Sequence, residues 1–314
     1  MGGDAESATR KLVRFCRTRG SRCVLRALVR WTNFVTLSLI FSSSMAMSEE
    51  NLDVIVSELF EKIKKKPVEL RHFLQNFPKG GDLHSHLSGA VYAESYLELA
   101  SERDLCVDLK SKELSNPPCD PIKSPPVRSI LDNKDEFGFE NFSQLINALS
   151  TRYYRLGSVS GRDQFFSTFQ RFFQALDGSR GDMLAEVASR ASRQNILYLE
   201  LMQSLGMFEV AQKAQSHGDL DAPFGLRVDH SMIEAEVAKV VKRLDQIEAR
   251  RDALLGCGSN SAQQSEGCSV EVRYLAQVIR ELSPIEVYAQ ALLAFKLIES
   301  DDRVVGLNFV APED

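Results

Sequence analysis

Two loops that would cradle phosphate are missing from this chain: no G-x-G-x-x-G and no G-x-x-x-x-G-K-[ST] occurs in it. Dinucleotide-binding and P-loop chemistry are excluded with them. C-x-x-C is absent too, which removes zinc ribbons and thioredoxin-like redox motifs. No internal repeat or low-complexity tract stands out. The short apolar run "WTNFVTLSLIF" over 31–41 falls well below the ~20 residues a membrane-spanning helix needs. Histidine is scarce, five in 314 residues, and acids are missing altogether from Ser7 to Ser48.

What is present reads as an address followed by an acidic globular body. Residues 1–47 hold eight Lys/Arg against Asp4 and Glu6, and a basic stretch from Arg10 to Arg30 leads into the short apolar run. "SSSMA" follows, with Ser44 and Ala46 spaced for a signal peptidase. The reading is a cleaved secretory leader over 1–47 and a secreted or periplasmic body. An Arg-rich, acid-poor organellar transit peptide is the alternative. Without the leader the chain keeps 30 Lys/Arg against 41 Asp/Glu, a net charge of −11. A body of that charge repels phosphate backbones, so nucleic acid is not its partner. Hydrophobic content of 44% is enough for a sizeable core.

Past the leader four cysteines fall into two local pairs, Cys106 with Cys119 and Cys257 with Cys268, each bracketing a polar loop. Closing loops of this size stabilises by up to ~3 kcal/mol if the pairs are disulfides. Two disulfides suit an oxidising compartment, and free thiols are the alternative.

Helical periodicity over 51–77 places Leu52, Ile55, Val56, Leu59, Phe60 and Ile63 on one stripe, broken at Pro67. Further helices are expected over 93–104, 137–155, 163–193 and 207–254, the last interrupted at "SHGDLDAPFG", and over 283–300, where Ser283 caps and Pro284 opens the helix. Phe165, Phe166, Phe169, Phe172 and Phe173 form a wide stripe expected in the core. Strands are expected at "DLHSHL", "NILYLELMQS", "SVEVRYLAQVIR" and "RVVGLNFVAPED". Strands alternating with long helices call for a parallel sheet.

Chemistry concentrates in "KGGDLHSHLSGA". On a strand, residues two apart face the same side, so His84 and His86 project together, after a Leu83 that reads as buried. Two imidazoles at a strand end can share one metal ion, and in a parallel barrel chemistry sits at the carboxyl end of the strands. A pair of hydrogen-bonded structural histidines is the plainer reading. His72, His217 and His230 read as solvated helix or loop residues. Glu200 faces the other side of its strand from Leu199 and Leu201 and reads as a structural hydrogen-bonding group.

"PKGGDLHSHLSGAVYAES" resembles the opening strand of the adenosine deaminase family, whose barrels carry a similar L-H-x-H-L-x-G-A segment after a Pro-Lys pair. "ILYLELMQS" resembles that family's second strand and "VVGLNFVAPED" its fourth. The resemblance covers roughly 50–314 and implies a TIM-type (β/α)8 barrel of the metal-dependent hydrolase kind. It implies zinc as cofactor, a purine nucleoside as substrate, and hydrolytic deamination of adenosine to inosine and ammonia. His84 and His86 match the first two metal ligands. Ala311 falls where a backbone amide meets the purine, and Ser88 stands where many members carry a ribose-binding aspartate. The separate zinc deaminases built on H-x-E with P-C-x-x-C are excluded, because this chain has neither element.

The family's later machinery, a His-Ala-Gly-Glu segment, two further histidines and an Asp-Asp pair, has no counterpart in these residues, so no catalytic residue is assigned. Four strands of eight are counted. The expectation is a barrel truncated after about four strands over 48–314, with open strand edges that a homodimer or a C-terminal half would have to cover. Two other functions stay open: a non-catalytic half-barrel that binds purines or a partner, and another metal-dependent amidohydrolase.

Overall fold

The fold was taken from a computed structural model, which describes residues 53–152, 154, 159–217, 228–258 and 265–312, with backbone alone at 215–217. The leader expected over 1–47 lies outside the described residues, as do 218–227, across the "SHGDLDAPFG" interruption, and 259–264, within the loop that Cys257 and Cys268 bracket. The chain divides into two compact units, Met1–Asn76 and Phe77–Asp314.

In the first unit, residues 53–63 (α1) and Pro67–Asn76 (α2) are helical, and Pro67 opens the second helix. Phe60 and Phe73 meet with ring centroids 6.0 Å apart. The apolar stripe of this helix is largely exposed: Ile63 is covered, while Ile55, Val56, Leu59 and Phe60 are not. His72 lies exposed on α2.

The second unit is built on a curled, four-stranded, wholly parallel sheet flanked by helices. Its strands are Gly80–His86 (β1), Ile196–Gln203 (β4), Glu271–Ile279 (β5) and Val304–Val310 (β6), in the order β1-β4-β5-β6. Alternation explains the outer face. Val272, Tyr274, Ala276 and Val278 of β5 and Leu199 and Leu201 of β4 are buried beneath the helices. Their neighbours Arg273, Leu275 and Gln277, with Tyr198 and Glu200, take the inner face. The curl is visible in two bonds that leap a strand. Asn308 of β6 donates to the Met202 sulfur of β4 at 3.3 Å, and Gln277 of β5 meets His86 of β1 at 2.6 Å. In a flat sheet those strand pairs would stand roughly 9–10 Å apart.

Each strand connects to the next through helices. Between β1 and β4 run Leu87–Ala90 (α3), Ala93–Glu102 (α4), Val127–Asp132 (α5), Lys134–Phe137 (α6), Phe139–Ala148 (α7), Gly161–Leu176 (α8) and Arg180–Arg193 (α9). Within this excursion Cys106–Val107 (β2) and Leu114–Ser115 (β3) pair antiparallel. Met207–His217 (α10) and His230–Leu255 (α11) follow β4, and Pro284–Ser300 (α12) follows β5. α12 begins as its sequence dictates, with Ser283 and Glu286 in a reciprocal capping box and Pro284 in the first turn. Asp229 caps α11 by accepting from the Ser231 amide at 2.8 Å, and Gly256 ends it in the left-handed conformation. Gly206, in the β4–α10 turn, has φ +74°, and a Cβ there would lie 2.7 Å from Val240 Cγ2, so only glycine fits.

Several expectations need correcting. The helix expected over 163–193 is two, α8 and α9, because Asp177-Gly178 interrupts it with Gly178 at φ +71°. The helix expected over 137–155 closes at Ala148. The phenylalanine stripe is not all core: Phe172 is buried, but Phe165 and Phe173 are exposed and the aromatic wall lines a cleft. Leu83 is not buried but 59% exposed; among the described residues β1 pairs with a strand on one side only. Among the described residues, no helix is long and apolar enough to cross a membrane.

Candidate metal centre

β1 runs parallel to β4 with His86 opposite Met202, so its last residue ends on the carboxyl rim of the sheet. His84 and His86, two residues apart, share the inner face, with ring centroids 5.9 Å apart and planes at 70°. His84 is exposed, and its backbone amide donates to Asp82 at 3.1 Å. His86 is half-buried. Burial, and then the charge of His84, hold its pKa below the ordinary imidazole value. A lowered pKa favours the neutral ring, the form that binds metal.

One ring nitrogen of His86 is already engaged. Gln277 Nε2 lies 2.6 Å from Nδ1, and Ser204 donates to Gln277 Oε1 at 2.8 Å. In that orientation the amide N–H donates to Nδ1, and the ring carries its proton on Nε2. Turning the amide by 180° reverses the bond: Nδ1–H then donates to Oε1 and frees the Nε2 lone pair for a metal. Sequence reasoning missed both Gln277 and Ser204. The only signal was a polar residue inside the apolar run "YLAQVI" late in β5, at the rim where chemistry would sit.

The donor set suits zinc in kind but fills half a shell. Zinc takes imidazole nitrogen readily and is almost always four-coordinate. Among the described residues no group of three or more His, Cys, Asp or Glu is placed to hold a metal. His230 opens α11 exposed, and the His217 side chain lies outside the described residues. Glu200, lower on the inner face, accepts the Tyr198 hydroxyl at 3.0 Å, which is a structural bond.

Ser88 and Ala311 come to the same carboxyl rim. Ser88 sits in α3, and its carbonyl accepts the Tyr96 hydroxyl at 2.6 Å. Ala311, one residue past β6, has φ 127° and accepts from the Arg280 guanidinium through its carbonyl. From Ser88 a cleft of about 570 Å³ opens between α4, α7 and α8, walled by Tyr96, Ile146, Phe165, Phe169 and Phe172. Glu94 and Arg152, 3.8 Å apart, stand among its lining residues. The sequence hid this cleft, because its wall is the stripe that reads as core.

The cysteines pair locally. Cys106 is bonded to Cys119 and Cys257 to Cys268, with Cα atoms 5.4 and 5.5 Å apart. The first bond staples the β2–β3 excursion and the second closes the loop between α11 and β5. Compared with known proteins, the chain matches no family model, and no curated protein matches it either.

Proposed function

We propose that these strands are one half of a TIM-type barrel of the zinc-dependent deaminase kind, whose completed form hydrolyses adenosine to inosine and ammonia. The observation that carries this reading is the histidine pair on the inner carboxyl rim of the first strand in a curled parallel sheet. Chemistry in parallel barrels gathers at that rim. Zinc in such a site supplies Lewis acidity and makes water a competent nucleophile near neutral pH.

This chain's own residues do the holding. His84 and His86 occupy two ligand positions, and burial keeps His86 neutral. Gln277, steadied by Ser204, orients the His86 ring. Ser88 borders the cleft that would receive part of a purine nucleoside, and its aromatic wall suits a flat heterocycle. The remaining ligands and the proton donor belong to strands beyond this sheet. Two local disulfides support a secreted or periplasmic setting.

Metal content and adenosine turnover, measured on the wild-type chain and on His84→Ala and His86→Ala, test the reading. Zinc taken up by the wild type and weakened at least ~10-fold in either variant is expected. Metal content unchanged by both substitutions overturns the assignment. A second reading, purine binding without turnover, is favoured by the cleft, which the described residues form on their own. Calorimetric binding of adenosine with no inosine or ammonia released would select it.

A further inference from the structure

We propose that Arg280 is a positioning residue for the purine: by holding the Ala311 carbonyl, it leaves the Ala311 N–H alone as a donor for an unprotonated ring nitrogen. The proposal rests on the purine nucleoside reading above and deepens it by naming the side chain that keeps this donor in place.

The chain leaves β6 through a strained residue. Ala311 has φ 127°, a region that residues with a Cβ rarely enter. Such an outlier persists only where its surroundings over-determine it. Two bonds from one residue do so here. The Arg280 amide donates to the Val310 carbonyl at 3.0 Å, and the Arg280 guanidinium donates to the Ala311 carbonyl. In an extended strand successive carbonyls point to opposite edges, so the second would face away from β5. At Ala311 the chain departs from that pattern, and both carbonyls meet Arg280, one residue past the end of β5. Pro312 follows, with no N–H to carry the ladder further.

What remains on the other side is a donor. A trans peptide sets its N–H opposite its C=O, so with the Val310 carbonyl turned to Arg280 the Ala311 N–H points away from β5. Ala311 is half-buried, and among the described residues this N–H has no hydrogen-bond partner. Had the chain stayed extended, the Ala311 carbonyl would stand on the same side and offer an acceptor beside it. With the carbonyl held by Arg280, only the donor is presented. A lone donor takes an unprotonated ring nitrogen and gives no partner to an N–H. Ala311 follows the last residue of β6 and His86 is the last residue of β1, so in this parallel sheet donor and metal ligands share one rim.

The test compares adenosine with its deaza analogues, each with CH in place of one ring nitrogen, by calorimetry on the full chain. One analogue should bind the wild type about tenfold more weakly than adenosine, the worth of one hydrogen bond. Arg280→Met should bind that analogue and adenosine equally, while Arg280→Lys, which keeps a cationic donor, should retain part of the difference. If Arg280→Met weakens every ligand by one factor, the role is structural and the proposal is overturned. Urea unfolding supplies a readout without purine. Ala311→Gly should raise the midpoint of the wild type, since glycine enters positive φ freely and the relief outweighs its greater freedom when unfolded. In Arg280→Met, where Ala311 has relaxed, the same change should lower the midpoint. Equal shifts in both backgrounds overturn the hold of Arg280 on Ala311. A wild type that binds no purine, with the two shifts still opposed, ends the purine reading and leaves that hold standing.

Discussion

The proton on His86 decides whether this rim can hold a metal. Its Nδ1 meets a side chain 191 positions away, and that side chain is an amide, able to donate or to accept. Where Gln277 presents its oxygen, Nδ1 keeps the proton and Nε2 faces outward as a ligand; where it presents nitrogen, Nε2 is blocked. Substitutions that fix the choice should therefore move zinc affinity in opposite directions. Gln277→Glu, an acceptor only, should hold or tighten binding, while Gln277→Leu should weaken it by roughly 10–100-fold, the usual cost of losing such an orienting partner. Competition against a chromophoric chelator reads both. If the two variants bind zinc equally, Gln277 acts only as packing.

At the scale of elements, a buried carboxylate on one helix accepts from a lysine ammonium of its neighbour. Glu236 of α11 is 1% exposed and accepts from Lys213 of α10 at 3.0 Å and from Lys239 at 3.1 Å. Burial pushes its pKa up, but the two ammonium groups overcome this and hold it below the usual value of 4.5. A carboxyl depressed in the folded state stabilises above its unfolded pKa, and the contribution is lost as pH falls through the folded one. Glu236→Gln should thus cost about 1–2 kcal/mol at pH 7, discounted because both lysines reach solvent. Below pH 4.5 the variant and wild type should converge in urea midpoint. A constant gap across that range would show that the carboxylate charge contributes nothing.

The same scale shows what the sequence disclosed and what it hid. β4, β5 and β6 were legible because each couples a run of alternating apolar residues to a following helix or turn signal. α12 was legible through Ser283-Pro284. The break between α8 and α9 was not, because Asp177-Gly178 sits inside a pattern whose period resumes in phase. The phenylalanines of α8 misled for a related reason: periodicity reports that a face is apolar, not whether protein or an open cleft lies against it. At the site, His84 and His86 could be read because both lie on one strand. Gln277 and Ser204 could not, because the curl that brings them to His86 is a property of the whole sheet.

For the whole molecule, covalent closure of two loops bears on how much stability the fold keeps under reducing conditions. Cys106–Cys119 and Cys257–Cys268 bridge sequence separations of 13 and 11. In the chain-entropy model, loops of that size each restrict the unfolded chain by up to ~3 kcal/mol. One staple lies in the excursion between β1 and β4 and the other between α11 and β5, so they share no element and their losses should add. Cys106→Ser with Cys119→Ser, and Cys257→Ser with Cys268→Ser, should each lower the urea midpoint, and the fourfold variant should lower it by about the sum. The wild-type chain in dithiothreitol should then match the fourfold variant. A midpoint that reduction leaves unmoved would mean that contacts in the folded state, and not the closed loops, set the stability.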